Sequence, residues 1–537
     1  MLAVLTGMMR PMLLFLGSVN LAFAGDRLNV LYIISDDLRP QLGCYGANMT
    51  STPNIDRFAG SSLVFDRAFC QYAVCGPSRN SFMTGRRPDT TRVWGMHSSF
   101  RTTVGQDWIP MPEHFKNAGY LTLGGGKTYH PNEPKDWDEP RSWSQDKPYY
   151  DFEYYIEDEQ CPSYPDGHHG GGGNGTVTGS DTWCPLAGNE NLFYDEGLAN
   201  HTISLLEYAK TRLDADGTPF FIACGFARPH VPYRVPAEIF DRYMERSPPA
   251  AAFRTHVGDA PPIAYHQQGY FNYSDGTLLV PTWDTPLPVA HQQVLRAAYY
   301  ASVTWMDEQF GRVLGALDAL NLTDTTVIVF HGDHGFQLGE HDSWHKNTNW
   351  ELGVRTPLII RAPNKPASAG QRSGIPVELI DVFPTLADLA GSGAPHDKLD
   401  GVSLAPLFEA AGHAGRTALE TSSTRAAFSQ YERCNRTTGV PEWEDNSCGD
   451  KATIDKHFMG YSIRTTAWRY TAWVDWGAKK DKRFWSHVHA TELYDHRNHV
   501  ASSVERRNVV ASPGLAAVVA ALHAKLIAQF PDGPVDT

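Results

Sequence analysis

Four short apolar runs restrict what this chain can fold into. Leu28 to Ser35 (LNVLYIIS) leads straight into Asp36 and Asp37, Tyr120 to Leu123 into GGGKTYH, Phe220 to Cys224 into GFARPH, and Thr325 to Phe330 (TTVIVF) into HGDHG. Apolar runs of strand length that do not alternate suit parallel strands buried on both faces. Helical patterns such as Gln292 to Leu320 lie between them, and that alternation predicts an α/β domain with a mostly parallel central sheet flanked by helices. In open α/β sheets ligands bind beyond the carboxyl ends of the strands, so the four polar clusters are expected to meet along one edge.

After about Cys448 the texture changes to YSIRT, WRYTAWVDW and TELYDH, short runs rich in aromatic and β-branched residues. They predict a smaller antiparallel sheet. The tail from Ser512 to Phe530 reads as a helix packed on that sheet, capped by Ser512, with Pro513 in its first position and a stripe of Leu515, Val518, Val519, Leu522 and Leu526. The first 24 residues read as a secretory leader, with Arg10 before an apolar run and Ala22, Phe23, Ala24 as the cleavage pattern. The expected organisation is a leader over 1–24, a catalytic domain over 25–447 and a C-terminal subdomain over 448–537.

A net charge of -14, from 46 basic and 60 acidic side chains, argues against nucleic acid as a partner, because a phosphate backbone rewards a basic face. An anionic substrate therefore needs a local basic pocket. No segment after the leader reaches the ~18 consecutive apolar residues of a membrane span. Sequons at Asn48, Asn174, Asn200, Asn272, Asn321 and Asn435 fit a secreted glycoprotein. Eight cysteines allow one or two bridges. Cys161 with Cys184 and Cys434 with Cys448 flank Gly- and Pro-rich loops and are the expected pairs, while Cys44, Cys70 and Cys224 lie in apolar surroundings and are expected to be free thiols. The glycine run His168 to Thr176 reads as a surface loop.

Asp36 and Asp37 are adjacent carboxylates after a buried strand, where their repulsion is relieved by a shared proton or cation. Asp333 and His334 are expected at the same edge. Carboxylates suit calcium or magnesium and the imidazole suits zinc or manganese, so residue type leaves the metal open. In AVCGPSRNSFMTGRRPD, Pro77 suits the first turn of a helix and Gly85 its end, which puts Cys75 just before an N-terminus that favours an anion, with Arg79 one turn on. Cys75 is then a disulfide half, a buried thiol, a nucleophile or a precursor. Lys127 and His130 follow three glycines, His230 closes GFARPH, and Lys346 lies in HDSWHKN; together they supply cations for an anionic group and imidazoles for proton transfer.

CGPSRNSFMTG resembles the CxPSR signature of the formylglycine-dependent sulfatases, and the paired aspartates, KxxH, the His230 loop, DH and the following lysine occur in that family's order. Within the family the likeness is to the branch that acts on 2-sulfated iduronate, through DDLRPQLGCYG, TPNID, GKTYHP, RPHVPYR, DHGFQLGEHDSWHK, FPTLADLAG, GYSIRT and RYTAWV. The resemblance implies an alkaline-phosphatase-like domain, a sulfuric ester hydrolase, and removal of the 2-O-sulfate of iduronate in heparan or dermatan sulfate. It implies a formylglycine made from Cys75 by a formylglycine-generating enzyme, and one calcium held by Asp36, Asp37, Asp333, His334 and residue 75. Arg79, Lys127 and Lys346 would neutralise the sulfonyl oxygens, His230 protonate the leaving alcohol and His130 act as base. It also implies a lysosomal or extracellular site of action.

A sulfatase for another sulfated sugar is the main alternative; a phosphoesterase of the same superfamily or a non-catalytic carbohydrate binder fits less well. The loop GFARPH departs from the branch at Ala227 and Arg228, as does His345 before Lys346.

Overall fold

A computed structural model describes residues 27–150, 183–186, 193–255, 257–266, 271–272, 278–279, 286–422, 425–436, 443–444, 454–476, 482–498 and 504–534. The expected leader, the glycine run, Cys161, Cys448 and Asn174 lie outside them.

The larger sheet has seven strands: β1 (Asn29–Ser35), β2 (Leu63–Phe69), β3 (Leu121–Gly126), β4 (Phe220–Phe226), β5 (Thr326–Gly332), β6 (Arg355–Arg361) and β7 (Arg372–Glu378). Their order is β7-β2-β6-β5-β1-β4-β3. Every pairing is parallel except the two made by β6. The four apolar runs are the neighbours β5, β1, β4 and β3, so the polar residues that follow them do emerge along one edge.

Successive side chains of a strand point to opposite faces, and β1 shows why its run is continuous. Val30, Tyr32 and Ile34 enter one core; Leu31 and Ile33 enter the other. The second core is closed by α2 (Tyr194–Asp216) and α3 (Val289–Ala319), through residues such as Leu198, Leu205, Val303 and Met306. The first contains Phe82 and Met83 of α1 (Cys75–Thr84) and runs without a break into the smaller sheet at Tyr461, Tyr470 and Ala472.

That smaller sheet is built from β8 (Ala427–Arg436), β9 (Ile454–Arg464), β10 (Trp468–Trp476) and β11 (Lys482–Asp495), paired antiparallel in sequence order, with two-residue strands at its edges. It takes its first strand from Ala427, upstream of position 448. The tail helix α4 (Ala516–Gln529) lies on it, burying Leu522 and Leu526. The helix starts later than its sequence suggests: Gly514 at φ +87 breaks the right-handed path, so Ser512 and Pro513 stand in a preceding turn. Among the described residues no helix is long and apolar enough to cross a membrane.

Candidate active site

Lys127 is placed by a close approach of two backbones. Gly126 takes φ +75, and a Cβ there would sit 2.3 Å from the Gly225 carbonyl oxygen. A Cβ on Gly225 would in turn sit 2.3 Å from the Lys127 carbonyl carbon. Only glycine at both positions lets Lys127 N–H reach the Gly225 carbonyl at 2.8 Å. The ammonium is then aimed back over the end of β1, where it pairs with Asp36 Oδ2.

Asp36, Asp37, Asp333 and His334 are all fully buried. Lys346 Nζ lies 2.5 Å from Asp37 Oδ1. Arg79 donates from Nε at 3.1 Å and Nη2 at 2.9 Å to Asp333 Oδ2, pairs with Asp36 Oδ1 at 3.3 Å, and gives Nη1 to the Lys127 and Thr128 carbonyls. It braces the carboxylates from behind. Burial opposes charge on Asp36, but Lys127, His230, Arg79 and Lys346 outweigh it and hold its carboxyl well below the usual range. Burial likewise opposes charge on Lys346, and Asp37 and its neighbours outweigh it, so the ammonium is held above its ordinary value.

Helix α1 begins at Cys75 itself, with Val74 extended before it, Pro77 in its first turn and Gly85 at φ +67 accepting its end. Cys75 Sγ lies 3.3 Å from Asp36 Oδ1, 3.4 Å from His334 Nε2, 3.3 Å from Lys346 Nζ and 3.8 Å from Lys127 Nζ. Burial and Asp36 push the thiol up. It is free, as are Cys44, Cys70 and Cys224. Cys434 is disulfide-bonded.

The donor set suits a cation. One ligand atom each from Asp36, Asp37, Cys75 and His334 lies within 4.8 Å of the others. Asp37 Oδ2 is buried without a hydrogen-bond partner. His334 Nδ1 faces the Gly335 carbonyl at 2.8 Å, which makes it the N–H donor and turns the Nε2 lone pair towards Asp37, at 3.3 Å. Asp333 sits slightly behind, its Oδ1 accepting the Asp37 and His334 amides at 3.0 Å each. Among the described residues the other group of ligand-type side chains, Glu351, His496 and Glu505, is already filled by Arg464 and Arg469 at 2.7 to 2.8 Å.

The sulfatase family model matches residues 28–392. The chain is 36% identical over 511 residues to iduronate 2-sulfatase of Homo sapiens, covering 87% of this chain and 89% of that protein. It is 35% identical over 515 residues to iduronate 2-sulfatase of Mus musculus, covering 88% and 89%. The chain belongs to the sulfatase family. It is a sulfuric ester hydrolase. A solved structure bound to its substrate D-glucosamine-2-N,6-O-disulfate superposes with a TM-score of 0.67 at 22% identity, covering 94% of this chain and 99% of that one, and supports the alkaline-phosphatase-like fold.

Two histidines of this sulfatase flank the centre. His230 Nε2 is 3.8 Å from Asp37 Oδ2, and its Nδ1 meets the Val231 carbonyl. Burial, with Lys127 and Lys346, holds it well below its ordinary value. His130 is held down to about 3 by burial and by Lys127 and Arg79. His345 packs edge-on against Phe336. Sequence reasoning missed Asp195 and Arg433. Asp195 accepts the Ala227 and Arg228 amides; Arg433, on β8, donates to the Asn347 carbonyl at 2.7 Å beside Lys346. Neither lies in a motif, and no local pattern marks them.

Proposed function

We propose that this sulfatase removes sulfate from a sulfated glycan, with the 2-O-sulfate of iduronate in heparan or dermatan sulfate as its substrate, using a formylglycine made from Cys75 and one calcium ion. What carries the proposal is the meeting around one buried sulfur of two carboxylates, an imidazole lone pair and two ammonium groups. The named relatives support the choice of glycan.

Asp36, Asp37, Asp333 and His334 would hold the ion beside residue 75, and an oxygen-rich set suits calcium. When bound, calcium supplies positive charge against the ester's sulfonyl oxygens. When formed, the formylglycine supplies the oxygen nucleophile for sulfur. Lys127 and Lys346 draw the sulfate in and offset its charge; Arg79 keeps Asp36 and Asp333 in place. His230 Nε2, facing Asp37 Oδ2 at 3.8 Å, is the group placed to give a proton to the leaving alcohol. His130 stays neutral, and its Nδ1, buried without a hydrogen-bond partner, is the base.

The leader-like first 24 residues support entry to the secretory pathway, with lysosome or cell exterior as destination and a formylglycine-generating enzyme as partner. Asn48, Asn200 and Asn321 are exposed and remain glycosylation candidates; Asn272 and Asn435 lie in strands.

Mass spectrometry of the peptide spanning residue 75, from protein made in cells that carry the generating enzyme, tests the nucleophile: an aldehyde is expected, and an intact thiol in active protein refutes it. Chelated enzyme should regain cleavage of a 2-sulfated iduronate disaccharide on adding calcium. Cleavage of aryl sulfates without that disaccharide would overturn the glycan assignment.

A further inference from the structure

Asp195 stands in the first turn of α2, and its side chain is 1% exposed. Oδ1 accepts the Ala227 N–H at 2.8 Å and Oδ2 accepts the Arg228 N–H at 3.0 Å. Two consecutive amides set against two oxygens need two acceptors, which an ionised carboxylate provides and an amide side chain does not. Those amides open the loop that carries His230.

The loop is pinned again downstream. Ser35 Oγ donates to the Arg228 carbonyl at 2.7 Å, and Arg228 Nη1 donates to the His230 carbonyl at 2.8 Å. His230 Nδ1 is turned to the Val231 carbonyl, so Nε2 looks into the centre at Asp37 Oδ2, 3.8 Å away. A continuous set of contacts thus joins the start of α2 to the atom that would deliver the proton, and its outer end is Asp195.

We propose that Asp195 is a positioning residue for proton delivery: its carboxylate fixes the Ala227–His230 loop so that His230 Nε2 reaches the leaving oxygen of the sulfate ester. This rests on the reading of His230 as the acid. In that step a new bond forms from the enzyme's nucleophilic oxygen to sulfur while the bond from sulfur to the sugar oxygen breaks. The sugar oxygen keeps the electron pair and takes the proton from Nε2. A sugar alkoxide leaves poorly without that proton, whereas a nitrophenolate leaves unaided, so misplacing Nε2 matters for one substrate and not the other.

The test compares the wild type with Asp195→Asn, Asp195→Glu and His230→Gln, each as the full chain with the state of residue 75 quantified. Substrates are a 2-sulfated iduronate disaccharide and 4-nitrophenyl sulfate. Asp195→Asn turns one acceptor into a donor facing an N–H; a displacement near 1 Å predicts a loss of about 100-fold in kcat on the sugar. KM should stay within about twofold, because ground-state binding is untouched. The aryl rate should be kept, and His230→Gln should show the same split.

The alkaline limb of the kcat profile on the sugar is a second readout, since it belongs to the acid in the bound complex. It should vanish in His230→Gln and in Asp195→Asn. The charged groups around Nε2, namely Asp36, Asp37, Lys127 and Lys346, are the same in both. Asp195→Glu keeps the charge but displaces it, and carries the same comparison if the asparagine variant does not fold. Equal losses on both substrates with the limb retained, or no loss at all, would overturn the role of Asp195. A His230→Gln enzyme that loses both activities equally would instead overturn the reading of His230.

Discussion

Replacing Gly225 by alanine tests whether the touching ends of β3 and β4 set the position of Lys127. The new Cβ would lie 2.3 Å from the Lys127 carbonyl carbon, 2.5 Å from its oxygen and 2.6 Å from its nitrogen. Non-bonded carbons rest about 3.5–4.0 Å apart, so the strand ends must separate by more than about 1 Å. All three clashing atoms are backbone, so no rotamer relieves the contact. Overpacking of this kind costs about 1–3 kcal/mol, and loss of the bond from Lys127 N–H to the Gly225 carbonyl adds about 1 kcal/mol. A shift of about 1 Å at the Lys127 ammonium predicts a fall in kcat of about 100-fold, or ~2.7 kcal/mol in the barrier. Urea unfolding and kcat on one sulfate ester read both effects. Gly315→Ala is the control: it lies inside α3 with nothing within 4 Å of its Cβ, and should gain about 0.5–1 kcal/mol. A Gly225→Ala enzyme with unchanged stability and turnover would refute the argument.

Asp89, just after α1, accepts Gln430 Nε2 at 2.6 Å, Tyr461 Oη at 2.8 Å and Arg483 Nη1 at 2.7 Å, all from the smaller sheet. Asp89→Asn leaves the largely buried Arg483 without its carboxylate and should cost ~3–5 kcal/mol, as one cooperative transition at lower urea; a separate transition for the smaller sheet would refute the shared core. On acidification, stability should fall below about pH 6.5. Burial holds His114, His331 and His341 down to about 4 and His130 and His345 to about 3, so the unfolded chain binds more protons than the folded one. Burial raises Asp195 and Asp307 to about 6 and Asp342 to about 7, which acts the opposite way and tempers the slope. A urea midpoint that stays level or rises from pH 6.5 towards 4 would contradict this.

The apolar runs made β1, β3, β4 and β5 legible because strands covered on both faces have no polar alternation to hide them. The strands β2, β6 and β7 escaped because Asp66, Arg67, Arg355, Arg361 and Arg372 interrupt or flank them at half-buried or exposed positions. Residues in compact motifs at strand ends could be named in advance. Asp195, Asp89 and Arg433 could not, since their partners are amides, carbonyls and side chains far away in the chain. The same long reach explains the smaller sheet: texture shows where its aromatic strands lie, but β8 is recognisable only through its pairing with β9 and through a core it shares with the larger sheet.

Cys75 is 1% exposed, at the head of a helix whose every residue is buried. An enzyme that alters that side chain would have to reach it before the sheets close over α1. Under the proposed function, conversion of residue 75 and folding of the chain would be two clocks started together at synthesis, with folding the one that shuts the door. On that reading the active fraction of a preparation would be a kinetic ratio fixed before the protein is ever assayed: variants that fold slowly would keep the window open, and variants that fold fast would seal unconverted thiol inside well-formed molecules.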